Sequence, residues 1–196
     1  MARALRQATR QAHQRLDHHP LLQQLIRPGL TRQAYGASLL ALYQPHARLE
    51  ACVAAGVARL GLDVEPEVPS PPRLALLAAD LAALGLAVPA ADGRALPVAA
   101  SVATLAGQRY VLEGSRLGGQ VIARHVVAAL GASAPVTFFT APGAGEHWQR
   151  LLGFLERRCS GGDVALAVAA AQAAFDDFQC SLGGAAHAAP VADTGP

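Results

Sequence analysis

Little in this chain suits a sheet. Aromatic residues make up 5% of its 196 residues and β-branched residues are sparse, while alanine and leucine supply most of a 52% hydrophobic content. That balance favours helix. Charge is scarce as well. With 15% charged residues and a formal net charge of +2, the chain has no basic run of the kind that binds nucleic acid. No apolar stretch reaches membrane-spanning length: the most apolar segment, Val164 to Phe175, contains Gln172 and runs into Asp176 and Asp177. The opening residues, with Arg3 and Arg6 around Leu5, lack a signal-peptide core. Three cysteines, Cys52, Cys159 and Cys180, form no CxxC pair, which argues against a disulfide framework and a structural zinc site. A soluble, cytoplasmic, single-domain protein is expected.

What the chain does have is helical periodicity. Leu5, Ala8, Ala12 and Leu16 recur at three- and four-residue spacing and predict a first helix from Ala2 to His18. A short apolar turn follows Pro20, and Arg27-Pro28-Gly29 breaks the chain. Thr31 predicts the N-cap of a long helix to Leu60, kinked at Pro45 and stopped by Gly61. Ser70-Pro71 reads as the start of a helix over Pro72 to Leu84, after an acidic, proline-rich loop. A long pattern spans Val98 to Leu130, and further helices are predicted over Glu146–Arg158 and Val164–Leu182. No strand-like alternation appears. The sum is an all-α domain of six or seven helices over residues 1–182, with residues 183–196 expected to be a disordered tail.

Two segments carry chemistry. On the first helix Arg6, Arg10, His13 and Asp17 fall within about 60° of one another, beside the apolar stripe. Arg10 lies roughly 4–5 Å and Arg6 roughly 10 Å along the axis before His13. The arrangement suits a flat ligand with a metal at its centre and carboxylates at its edge, since imidazole binds iron and guanidinium binds carboxylate. It equally describes a solvated helix face with a partly buried histidine. The second segment, Arg109 to Ile122, places Gly114, Gly118 and Gly119 among good helix formers. Each costs about 0.5–1 kcal/mol relative to alanine. Bare backbone there permits either close helix packing or the approach of a flat ligand.

Taken together the segments resemble the haem oxygenase family. LRQATRQAHQRLD, from Leu5 to Asp17, looks like the family's proximal helix, and LTRQAYGASLLALYQPHARLE, from Leu30 to Glu50, is similar to its second long helix. EGSRLGGQV, from Glu113 to Val121, resembles the distal helix, and FFTAPGAGEHWQRLLGFL, from Phe138 to Leu155, the segment that closes the pocket. The YVLEGSRLGGQVI form looks closest to bacterial enzymes that supply biliverdin to bacteriophytochromes. The resemblance implies an all-helical fold with haem between the proximal and distal helices. It implies oxidative opening of haem to biliverdin, carbon monoxide and iron, with molecular oxygen and electrons from a reductase or ferredoxin. His13 would be the iron ligand, Arg6 and Arg10 would line the propionate edge, and Gly114 and Gly118 would be the distal glycines.

The chain departs from the animal enzymes in two places. Ser115 stands where they carry an aspartate that organises distal water, so oxygen activation must rest on another water network or be slower. Gln149 and Gly153 stand where propionate contacts are expected, with Arg150 as a substitute. The rivals are a non-catalytic haem or tetrapyrrole carrier or sensor, and a helical thiamin-degrading or quinone-cofactor enzyme, which would lack an axial histidine. A di-iron bundle needs paired Glu-x-x-His motifs and a metal hydrolase an HExxH site, and neither pattern occurs. His18 and His19 are expected in solvent, His46 partly buried after the Pro45 kink, His125 and His147 on helices without an evident partner, and His187 in the tail.

Overall fold

A computed structural model describes residues 1–63 and 71–188. Seven helices form: α1 (Ala2–Asp17), α2 (Pro20–Gln23), α3 (Arg32–Arg59), α4 (Leu74–Ala83), α5 (Val102–Leu130), α6 (Ala144–Arg158) and α7 (Val164–Ala188), with short 3₁₀ turns at Gln24–Ile26 and Gly161–Asp163. There is no strand among the described residues. No described helix is long and apolar enough to cross a membrane.

Local chemistry sets most of the boundaries. The Thr31 hydroxyl accepts from Ala34 N (3.1 Å) at the start of α3, and the Ser101 hydroxyl accepts from Thr104 N (3.2 Å) at the start of α5. Gly61, Gly85 and Gly131 follow α3, α4 and α5 at positive φ, where a side chain would be strained. Pro45 lies buried inside α3, and the helix continues on both sides of it.

Elsewhere the structure corrects the pattern. Helix α4 begins at Leu74 with Arg73 as its N-cap, not at Pro72. Ser70, the expected cap, lies outside the described residues. The capping acceptor comes from another helix: the Glu50 carboxylate accepts from Arg73 N (2.8 Å) and Leu74 N (3.2 Å). Helix α5 begins at Val102 rather than Val98 because Ser101 caps it, and α6 begins at Ala144, after left-handed Gly143. Helix α7 runs through Gly183 and Gly184 to Ala188, past the expected end at Leu182. Two glycines cost about 1 kcal/mol each in a helix, which a packed 25-residue helix tolerates. The tail expected beyond Ala188 lies outside the described residues.

Helix α5 is the axis of the domain. It packs against α7, α6 and α3, while α1 lies along α7 and α4 along α3. Leu5, Leu39, Leu49, Leu105, Leu151 and Phe154 are completely buried between these layers. Helices α5 and α7 approach most closely at Gly107, where a Cβ would run into the Ala167 carbonyl. The buried face of α1 differs by one position from the predicted stripe. Ala8 is exposed and Thr9 is buried in its place, its hydroxyl satisfied by donating to Leu5 O at 2.8 Å. On a helical wheel this turns the buried face of α1 toward the His13 side.

Candidate functional site

Helices α1 and α5 form two walls of a cavity of about 900 Å³, closed by residues of α3, α6, α7 and the connection between α5 and α6. That volume lies toward the upper end of the roughly 300–1,000 Å³ typical of small-molecule sites. From α1 come Arg6, Arg10 and His13; from α5 come Gly114, Ser115 and Gly118. All six expected site residues therefore line one space, although more than a hundred positions of sequence separate the two groups.

The His13 ring packs edge-on to Phe175 with centroids 6.0 Å apart, and its Nδ1 lies 2.7 Å from Asp17 Oδ2. A carboxylate at Nδ1 holds the proton there and leaves the lone pair on Nε2, the arrangement that prepares a histidine to ligate a metal. The side chain is 62% accessible and lines the cavity. Arg3, Arg6 and Arg10 add guanidinium groups along the same helix. Among the described residues none of the three takes part in a salt bridge.

The glycines of α5 divide by what lies beside them. A Cβ on Gly119 would strike the Phe139 carbonyl, so Gly119 serves helix-to-loop packing. Gly118 has open space where its Cβ would be, and the nearest atom to a Cβ on Gly114 is Trp148 Cζ3 at 3.8 Å. Gly114 and Gly118 thus present backbone to the cavity.

The periodicity did not reveal the polar group behind this wall. Arg73, 2% exposed, directs Nη2 to Ser115 Oγ (2.5 Å) and to His46 Nε2 (3.2 Å), with Leu112 O at 3.5 Å. Ser115 in turn donates to Leu112 O at 2.7 Å. The Arg73 guanidinium also lies 4.7 Å from the Phe138 ring centroid. His46 is 3% exposed, wedged edge-on between Phe138 (4.9 Å) and Phe178 (5.2 Å). Burial first, then the positive charges of Arg73 and Arg116, hold its pKa well below the usual histidine value. A neutral ring accepting from Arg73 at Nε2 carries its proton on Nδ1. Burial, chiefly, brings Arg73 down to about 10, so it remains a cation at neutral pH.

Tyr110 and Trp148, with ring centroids 5.4 Å apart, complete this part of the wall. Gln149, Arg150 and Gly153 are not among the lining residues; Arg150 reaches Glu146 at 3.8 Å and Gly153 packs near the Arg157 guanidinium. The other histidines stand apart. His18 and His125 bond back to the carbonyls of Gln14 and Val121, and His19 accepts from Leu21 N. His147 packs near Gly143, and the side chain of His187 lies outside the described residues. Among the described residues no three His, Cys, Asp or Glu side chains stand together as a metal site.

The family model described as heme oxygenase matches residues 1–181. The chain belongs to the haem oxygenase family. Solved structures agree with this membership at the level of the fold. The NO- and CO-bound heme oxygenase from Neisseria meningitidis superposes with a TM-score of 0.75 at 22% identity, covering 97% of this chain and 94% of that one. The heme oxygenase from Leptospira interrogans gives 0.69 at 19% identity, covering 93% and 98%. No curated protein matches by sequence. Membership supports an oxidoreductase, in a family that binds haem.

Proposed function

We propose that this member of the family turns haem over, opening it to biliverdin, carbon monoxide and iron, with molecular oxygen and electrons from a reductase or ferredoxin. The observation that carries the reading is one cavity lined by His13, held by Asp17 at Nδ1, and by the side-chain-free Gly114 and Gly118. The haem is substrate and cofactor together and supplies the redox chemistry when bound. The chain supplies ligation, orientation and control of charge.

In this reading His13 Nε2 is the iron ligand. Arg6 and Arg10, on the same wall, receive the propionates, since guanidinium forks match carboxylates. Gly114 and Gly118 would leave room for a flat macrocycle beside α5. Ser115 has one lone pair committed to Arg73 and its proton committed to Leu112 O, which leaves one lone pair to accept from water in the cavity. Arg73 stands one hydrogen bond behind that water and favours negative charge arriving there, the role of a preorganised cation. With Arg73 on its Nε2, His46 would have no free lone pair to offer a metal.

The resemblance of Tyr110 to Ile122 to bacterial enzymes that supply bacteriophytochromes favours such a biliverdin consumer, and the three free cysteines fit a reducing cytoplasm. The test is to add haem, then a reductant and oxygen, and follow the absorption spectrum. Conversion to a biliverdin spectrum is expected; a persistent oxy-haem spectrum would instead establish the carrier or sensor. His13→Ala is expected to lose the histidine-ligated spectrum and turnover together. Unchanged ligation in that variant would remove His13 from the site.

A further inference from the structure

We propose that Asp80, which lies outside the cavity, is the positioning residue that sets how Phe138 supports the Arg73–His46 pair. Asp80 sits on α4 and is 1% exposed. Its Oδ1 accepts from Thr137 N (3.1 Å) and Thr137 Oγ1 (2.6 Å), and its Oδ2 accepts from Phe138 N (2.9 Å). Among the described residues it forms no salt bridge. A carboxylate buried without a cation is costly, and three converging donors are what make it tolerable. All three come from two consecutive residues of the connection between α5 and α6.

The second of them, Phe138, reaches the cavity wall directly. Phe138 places its ring beneath the Arg73 guanidinium and edge-on to His46, and both Phe138 and Phe139 line the cavity. Arg73 and Asp80 ride on the same short helix, the cation at its N-cap and the carboxylate two turns on. Glu50 pins the first end by accepting from Arg73 N, and Asp80 pins the loop to the second. Tyr35 anchors the loop one step earlier by donating to Pro135 O at 2.6 Å. Helix α4 therefore works as a bar that fixes the aromatic ring and the guanidinium relative to each other. An asparagine at position 80 has one acceptor oxygen, and its amide N–H would face the Phe138 or Thr137 donors. The shape survives such a change and the clamp does not.

The consequence for turnover rests on the haem reading above, so the first measurement is made without haem. In the haem-free protein, side-chain NMR of ¹⁵N-labelled histidines compares wild type with Asp80→Asn. The expected result is a shift of the His46 ring signals, which report acceptance from Arg73, while His18 and His125 stay in place. With haem added, the His13-ligated spectrum and haem affinity are expected to hold within about threefold, and the stretching frequency of CO bound to the reduced haem is expected to move. Turnover is expected to fall on the order of ten- to a hundredfold, as for a small misplacement at a reacting centre.

Unmoved His46 signals in folded Asp80→Asn would overturn the proposal. Should that variant fail to fold, Thr137→Val, which removes only the hydroxyl from the Asp80 cluster, decides by the same signals: a His46 shift supports the clamp and no shift overturns it. If wild type shows no haem spectrum while His46 responds to the variant, the haem reading falls and the clamp stands.

Discussion

At the scale of single residues, the substitution that matters most is the pairing of Ser115 with Arg73. A serine in place of an aspartate removes a negative charge from the distal wall, and a buried guanidinium 2.5 Å from its hydroxyl puts a positive charge behind it. The sign of the fixed charge is thereby reversed: Ser115, like a carboxylate, can only accept from the cavity, but the cation behind it favours anions there. Arg73→Met keeps the unbranched apolar stem and removes the charge and all the hydrogen bonds of the side chain. We expect haem binding through His13 to persist and the single-turnover rate of haem oxidation to fall by about 10²–10³, the scale of losing one preorganised donor. Arg73→Lys keeps the charge without the fork and is expected to fall between that variant and wild type. The change to Met also leaves His46 Nε2 without its donor, at a stability cost of about 1–3 kcal/mol read from urea unfolding. Turnover in Arg73→Met equal to wild type would mean that this cation takes no part in the chemistry.

At the scale of elements, α5 combines two tasks in one helix, and its glycines separate them. Gly119→Ala drives a methyl group into the Phe139 carbonyl, a backbone atom with nowhere to go, and is expected to destabilise the fold by about 2–3 kcal/mol. Gly118→Ala meets nothing and is expected to gain about 0.5–1 kcal/mol of helix stability while weakening haem binding or turnover through the methyl group it adds to the cavity wall. Thermal unfolding of the two variants, set against haem titration, reads both effects; equal losses of stability would refute the division. The sequence shows that these glycines are costly and cannot show which one faces which neighbour, because the answer lies on another helix and a loop. The same limit explains the rest. Thr31, Gly61, Gly85, Gly131 and the Arg6–Arg10–His13 face were legible because their partners lie within a turn or two of chain. Arg73 meets His46 across 27 residues and Ser115 across 42, and Asp80 meets Thr137 across 57. One signal was available: Arg73 and Asp80 are the only charged residues in the otherwise apolar stretch from Pro71 to Val88, and isolated charges in such a stretch need buried partners. Thr9 displaced Ala8 from the buried face of α1 for a related reason, because a hydroxyl that bonds its own helix can be buried like an alanine.

At the scale of the whole molecule, the buried distal group ties stability to pH. His46 is neutral in the folded protein, its pKa lowered by burial and by Arg73 and Arg116, whereas in the unfolded chain it titrates near 6.5. As pH falls through 6.5 the unfolded chain takes up a proton that the folded protein refuses, so the unfolded state binds more protons and stability declines with falling pH. The window opens at the unfolded value and extends downward until the folded ring titrates. His19 and His147, also lowered by burial, act in the same direction, and depressed carboxylates such as Asp92 and Asp163 extend the acid limb below them. His46→Gln offers an acceptor in a similar place and cannot titrate, so it isolates the contribution of this ring. Urea unfolding at about pH 7.5 and 5.5 is expected to show wild type losing about 1 kcal/mol more than His46→Gln over that interval, close to the limit for one proton. Parallel losses in the two proteins would mean that the folded ring takes up its proton as readily as the unfolded chain, which a buried His46 accepting from Arg73 could not do. The polar arrangement behind the cavity would then need a different assignment of protons from end to end, because Ser115, Arg73 and His46 are held by one chain of hydrogen bonds.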